Sequence, residues 1–346
     1  MQNTLFFVNY KALHLILILI FALLPVMSDA SEVNVYSGRK AKLIKPLFDK
    51  FENQTGIKVN LVTAKSDALL KRIEAEGASS PADIFITVDA GRLDRAKRMG
   101  LLQKINTTSF KNKLSKDYMD KDNMWIAISK RIRTIIYSKE KVEKREISRF
   151  EDLASNEWKD RICVRSSNNI YNQSLIASLI ASVGEGKAES ITKKIVKNFA
   201  RKPSGNDRAQ ITAVAKGECD VAIVNHYYYI LMLNSKDQEK RNIAKKVNIL
   251  FLNQKDRGSH VNISGLGIAR HSKNIENSYK LIEYLLNKES QEWYANVNNE
   301  YPVMPNAETN DLLKSWGTVK LDEKSINKLG ELNPNAVKLM DRVNWQ

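Results

Sequence analysis

The chain has 346 residues, 43% of them hydrophobic, enough apolar material for one large core or two smaller ones and too much for a disordered chain. Its formal charge is +16, yet the lysines and arginines are interleaved with acids, as in "NLVTAKSDALLKR" (60–72) and "KRIEAEG" (71–77). No basic stripe interleaved with aromatics and no nucleic-acid motif occurs, so a solvated basic surface is expected and nucleic acid is excluded as a partner.

Residues 1–30 carry one lysine, Lys11, then an apolar run from Leu13 to Leu24 and small residues at Ser28 and Ala30. This is the layout of a secretory signal peptide cleaved near Ser31; the run is short for a membrane-spanning anchor. Its loss leaves the net charge unchanged, because Lys11 and Asp29 cancel. Export to the periplasm follows, and an oxidising compartment permits a disulfide between Cys163 and Cys219. Two buried free thiols are the alternative.

"VNVYS" (33–37) reads as a strand, and Ile44, Leu47, Phe48 and Phe51 recur at helical spacing ahead of Gly56. "IKVNLVTA" (57–64) is a second strand. Ser66 is placed as N-cap of a helix carrying Leu69, Leu70 and Ile73 and closed by Gly77. "ADIFITV" (82–88) is a third strand, followed by a helix to Gly100. This rhythm predicts a mostly parallel sheet with right-handed crossovers. "MWIAISKRIRTIIYS" (124–138) is a long strand able to cross between lobes.

The rhythm then restarts. "RICVR" (161–165), "CDVAIV" (219–224) and "VNILFL" (247–252) read as strands, and "QSLIASLIASV" (173–183) and "ESITKKIVKNFA" (189–200) as helices. "SHVNISGLGIAR" (259–270) is a second crossing strand, with helices after it around "YKLIEYLLN" and "SQEWYANVN". The expected fold is α/β and two-lobed, with ligand in the cleft at the carboxyl ends of the strands.

"VNHYYYILML" (224–233) places His226 and three tyrosines, Tyr227 to Tyr229, at such a strand end, and Tyr171 of "RSSNNIYNQS" follows the strand "ICV" in the same way. Phenolate is a hard anionic oxygen ligand, and a phenol of ordinary pKa about 10 ionises near neutrality only beside strong positive charge. Tyrosines without paired carboxylates, cysteine ligands or His-x-x-x-His spacing point to Fe(III) rather than zinc, copper or calcium. Two other readings stand beside this one. Tyrosines at a helix start pack their rings and leave the hydroxyls in water; an aromatic box binds an organic cation such as a polyamine, with Asp67, Asp83 or Asp89 as counter-charge. No Gly-x-Ser-x-Gly elbow is present, and neither cysteine resembles a nucleophile, so an enzyme is not expected.

"TGIKVNL", "IEAEGASSPADIFITVDAGRL", "RSSNNIYNQSLIAS" and "ECDVAIVNHYY" resemble the periplasmic ferric-ion-binding proteins of bacterial iron ABC transporters, in particular the cyanobacterial, FutA-like branch. The resemblance runs from about Val33 to Pro305. It implies a bilobal periplasmic-binding-protein fold of type II-like organisation with two crossing hinge strands. One lobe would comprise residues 31–131 and 258–305, the other 132–257 and 306–346. It implies Tyr227, Tyr228 and Tyr171 as iron ligands, with Tyr229 as packing and His226 as a non-ligand. The family's ligands from the first lobe have no counterpart: Lys40 and Ala41 stand where relatives carry His or His-Tyr, and Val88 where some carry glutamate. A carbonate-like synergistic anion and solvent would complete the coordination. Arg131 and Arg39 are expected near that anion, with Ser37, Ser167, Asn206 and Asn225 as polar supports. The partner implied is the membrane permease of an iron ABC transporter, served by a monomer.

Overall fold

Strand β5 (Ile126–Ser138) organises the molecule, because its two halves belong to different sets of strands. From Ile126 to Ile132 it pairs antiparallel with β9 (Val261–Ala269). From Arg133 to Ser138 it pairs antiparallel with β7 (Val221–Asn225) and β8 (Val247–Leu250). The change of partner falls between Ile132 and Arg133. The computed structural model describes residues 31–346; the signal peptide read at 1–30 lies outside the described residues. Among them, no helix is long and apolar enough to cross a membrane.

On the β9 side, β1 (Glu32–Ser37) lies parallel to β2 (Lys58–Thr63) and β3 (Ile84–Val88), as strands joined through intervening helices do. β3 and β4 (Leu102–Gln103) then pair antiparallel with β9. On the other side, β6 (Ile162–Cys163) is parallel to β7. The whole order is β2-β1-β3-β9-β5-β7-β6, with β4 on β9 and β8 on β5. The sheet is therefore mixed rather than mostly parallel. The alternating unit is parallel as expected, but both long strands run against their neighbours. β9 stays with β3, β4 and the first half of β5, so β5 alone pairs with both groups.

Burial explains the long strands' near-continuous apolar pattern: Ile126, Ile128, Ile132, Ile135 and Ile136 are all fully buried, as a strand covered on both faces demands. Gly265 and Gly267 sit in β9 because any side chain would strike β5 or its neighbours; a Cβ on Gly265 would lie 2.5 Å from the Ile126 carbonyl oxygen.

The helix Lys45–Thr55 ends on Gly56 at φ 71°, and Ser66–Glu76 ends on Gly77 at φ 54°, both conformations that glycine adopts without steric cost. Ser66 is the first helical residue rather than the cap, and its hydroxyl shares a 2.7 Å hydrogen bond with Thr87 at the end of β3. "RICVR" yields only the two-residue β6, because the chain leaves the sheet at Val164 for the loop that delivers Tyr171.

The C-terminal segment adds Ile326–Glu331 and Asn333–Arg342. Gly330 presses so closely on the helix Ala90–Arg98 that a Cβ there would meet Asp94 Cβ at 2.1 Å. Cys163 and Cys219 form a disulfide that joins β6 to the entrance of β7 across a separation of 56 residues.

Candidate metal centre

β7 ends at Asn225 and the helix His226–Leu233 starts with no intervening loop, so Tyr227 and Tyr228 fall in its first turn. Tyr171 is the second residue of the helix Ile170–Val183. Both helix starts lie beyond strands of the β7 side, where an open α/β sheet presents its ligand.

The Tyr227 and Tyr228 rings lie 4.4 Å apart between centroids, tilted by 41°. Asn225 Nδ2 donates to the Tyr227 hydroxyl at 3.2 Å. Tyr229 turns away; its ring is buried and its hydroxyl donates to the Val247 carbonyl at 3.1 Å. Burial drives the Tyr227 pKa well above the ordinary phenol value, and charge on Tyr171 or Tyr228 would raise it further while Arg131 opposes the shift. Tyr228 is pushed up to about 12, again chiefly by burial and then by charge on Tyr171. The three phenols thus form one electrostatically coupled set. Placing negative charge on all of them requires a strong cation among them.

Guanidinium groups surround the set. Arg131 Cζ lies 5.2 Å from the Tyr171 ring centre, Arg165 Cζ 5.8 Å and Arg133 Cζ 6.0 Å, while Arg208 Cζ stands 4.9 Å from the Tyr228 ring. Asp207, wholly buried at the start of the helix Asp207–Ala215, binds Arg133 Nη1 at 2.7 Å through Oδ1 and Arg165 Nη1 at 2.6 Å through Oδ2. Asp207 Oδ1 also accepts from the Asn225 backbone at 3.0 Å. Arg133 Nη2 donates to Asn172 Oδ1 at 2.5 Å. Arg131 has no carboxylate within reach: its Nη2 donates to the Ile263 carbonyl at 2.8 Å and its Nε is buried without a partner. Burial works against the Arg131 charge, but Tyr171 and Tyr227 together with the Glu300 and Asp89 carboxylates outweigh it and raise its pKa. Arg131, Arg133, Tyr171, Asn225, His260 and Asn262 enclose a cavity of about 10 Å³, at the threshold for one water-sized occupant. A far larger groove, about 1010 Å³, is walled by Lys144, Arg149, Phe251 and Trp316 and includes none of these tyrosines.

The structure brings Tyr171, Tyr227, Tyr228, Arg131 and Asn225 together. The other expected residues have local partners of their own. Arg39 is buried in a two-pronged ion pair with Glu300, at 3.0 Å on each arm, and donates to Ser264 Oγ at 2.5 Å. Both of its Nη atoms are thereby engaged, while its Nε is buried without a partner. Ser37 accepts from the Arg39 backbone at 3.1 Å and so closes a local turn. Asn206 is exposed and caps its helix by accepting from Ala209 N–H at 3.2 Å. Ser167 contributes its carbonyl, to Gln173 Nε2 at 2.9 Å.

His226 accepts the Ile132 backbone N–H at Nδ1, 3.1 Å, and Nε2 lies 2.8 Å from the Asn299 carbonyl, which fixes the proton on Nε2. With both nitrogens occupied and its pKa lowered to about 4 by burial, it is a neutral bridge to the segment 299–301.

Sequence reasoning missed Arg133, Arg165, Asp207 and Arg208. Arg133 stood in the quoted "KRIRT", two residues after Arg131 and on the same face of β5, which is the signal that could have found it. Among the described residues, no three His, Cys, Asp or Glu side chains form a metal-binding group, so the tyrosines are the hard-oxygen donors on offer.

A strand shared between two groups of strands, with a polar site at the strand ends, is the architecture of a two-lobed solute-binding protein. The chain belongs to the bacterial extracellular solute-binding protein family, which it matches over residues 79–321. It is 42% identical to iron uptake protein A1 of Synechocystis over 318 residues, covering 92% of this chain and 88% of the relative. Its fold matches the Trichodesmium protein IdiA (FutA), solved in complex with iron and citrate, at a TM-score of 0.89 and 46% identity, covering 91% of this chain and 100% of the other. The ferric binding protein of Campylobacter jejuni matches at 0.85 and 37%, covering 91% and 100%. The fold is the bilobal periplasmic-binding-protein fold.

Proposed function

We propose that this chain captures Fe(III) between its lobes through the phenolates of Tyr171, Tyr227 and Tyr228 and delivers it to the membrane permease of an iron ABC transporter. The observation that carries this reading is the coupling of three phenols amid guanidinium groups, with no carboxylate or imidazole cluster among the described residues to compete for the metal. A trivalent ion neutralises three phenolates, and Arg131, with its unpartnered Nε, offers donors to a carbonate-like anion that completes the coordination. The names of the relatives point the same way. A polyamine in a tyrosine box is disfavoured, because its ammonium groups would lie among the arginines around Tyr171.

The lobes are assigned as 31–131 with 258–305 and 132–257 with 306–346, a division supported by the change of partners within β5. Closure about β5 covers the ion. The protein works as a monomer in the periplasm after signal cleavage, as a carrier and not an enzyme. Its test is colour. Protein mixed with Fe(III)-citrate turns orange-red from phenolate-to-iron charge transfer, and the Tyr227→Phe, Tyr228→Phe double variant stays colourless. A colourless wild-type protein would overturn the assignment.

A further inference from the structure

Asp89 directly follows β3 and is fully buried, with φ 87° and ψ 122°, a backbone conformation that residues other than glycine rarely adopt. Its carboxylate does more than cap the helix Ala90–Arg98, where Oδ1 accepts from Gly91 N–H at 2.9 Å. Ser174 Oγ lies 2.8 and 2.9 Å from the two carboxylate oxygens, and Asn262 Nδ2 donates to Oδ2 at 2.8 Å. Ser174 lies three residues after Tyr171, on the same face of one helix. The Asp89 backbone N–H and Arg131 Nη2 both donate to the Ile263 carbonyl at 2.8 Å. One residue thus reaches the helix that carries Tyr171 and shares an acceptor with Arg131.

We infer that Asp89 is a positioning residue for iron capture: through Ser174 it docks the Tyr171 helix against the end of β3, and through Ile263 it sets the depth of Arg131. The inference rests on the iron reading above. It gives the first lobe a part in holding iron although Lys40, Ala41 and Val88 offer no ligand there. A carboxylate at this place, strained and saturated by donors, orients a ligand without touching the metal, and outer supports of this kind are worth about 10–100-fold in metal affinity.

The test follows iron release from the full chain to a competing chelator, read at the charge-transfer band. Ser174→Ala releases iron about tenfold faster than wild type or more, Ser174→Thr restores the slow rate, and the melting temperature of the iron-free protein moves little. Release from Ser174→Ala at the wild-type rate, or no rescue by threonine, overturns the inference. Should Ser174→Ala fail to fold, Asp89→Asn disrupts the same contact and gives the same comparison. If wild type shows no charge-transfer band, the iron assignment itself has failed; a normal band with unchanged release sinks the positioning role alone.

Discussion

Arg133 and Asp207 meet at 2.7 Å with both side chains almost wholly buried. The same carboxylate holds Arg165 at 2.6 Å, so one acid sets the charge balance beside Tyr171. Removing a partner from a buried pair leaves an uncompensated charge, which costs about 3–5 kcal/mol. Asp207→Asn is expected to lose stability in that range, somewhat tempered because Arg165 is partly exposed. Urea unfolding of the iron-free protein measures it, and a loss below about 1 kcal/mol would mean that solvent already screens the pair.

Cys163 and Cys219 are buried and disulfide-bonded between β6 and β7. The cross-link shortens the unfolded chain's effective loop, a stabilisation of about 2–4 kcal/mol. The Cys163→Ser, Cys219→Ser double variant should unfold at correspondingly lower denaturant, and reducing agent should have the same effect on wild type. Iron bound to the folded form stabilises both proteins by the same amount when their affinities match. The stability difference between variant and wild type should therefore persist when both are iron-loaded, and a widened difference would show that the disulfide also supports the site.

Elements were legible where one physical signal dominated. The buried isoleucines of β5 and β9 announced long strands, and glycines 56 and 77 marked helix ends. That Tyr171 and Tyr227–Tyr228 start helices just beyond strands was legible from the apolar runs that precede them. The partners of charged residues were not. Nothing local says that Arg39 will find Glu300, 261 residues away, or that Arg133 will meet Asp207 rather than a ligand. Asn206 and Asp207 illustrate the difficulty: adjacent polar residues at one helix start, of which the first caps in solvent and the second is buried beneath the site. Three-dimensional pairing decides such roles, and pairing across long separations leaves no periodic trace.

Asn225 links the network to the tyrosine cluster: Oδ1 accepts from Arg133 at 3.1 Å and Nδ2 donates to the Tyr227 hydroxyl at 3.2 Å. A donor held on the phenol oxygen stabilises its anion once iron is bound. Asn225→Ala should weaken Fe(III) binding by about 10–100-fold, the usual worth of an outer support, while the charge-transfer colour persists with a shifted maximum. Equilibrium competition with a chelator and an absorption spectrum check both parts. Full loss of colour would instead make Asn225 essential to the fold of the site.

Acid should release the metal. Burial lifts Tyr228 to about 12 and holds Tyr227 well above the ordinary phenol value, so both phenols are protonated in the iron-free protein at neutral pH. Coordination as phenolate expels a proton from each, which places protons on the product side of binding. Lowering the pH therefore favours the iron-free form. For two displaced protons the apparent affinity falls about 100-fold per pH unit. Chelator competition between about pH 5.5 and 7.5, corrected for the chelator's own protonation, gives the slope, and titration of weakly buffered protein with Fe(III) counts the protons directly. In the Tyr228→Phe variant the slope should drop by one proton. A pH-independent affinity in wild type would mean that the phenols do not bind iron as anions.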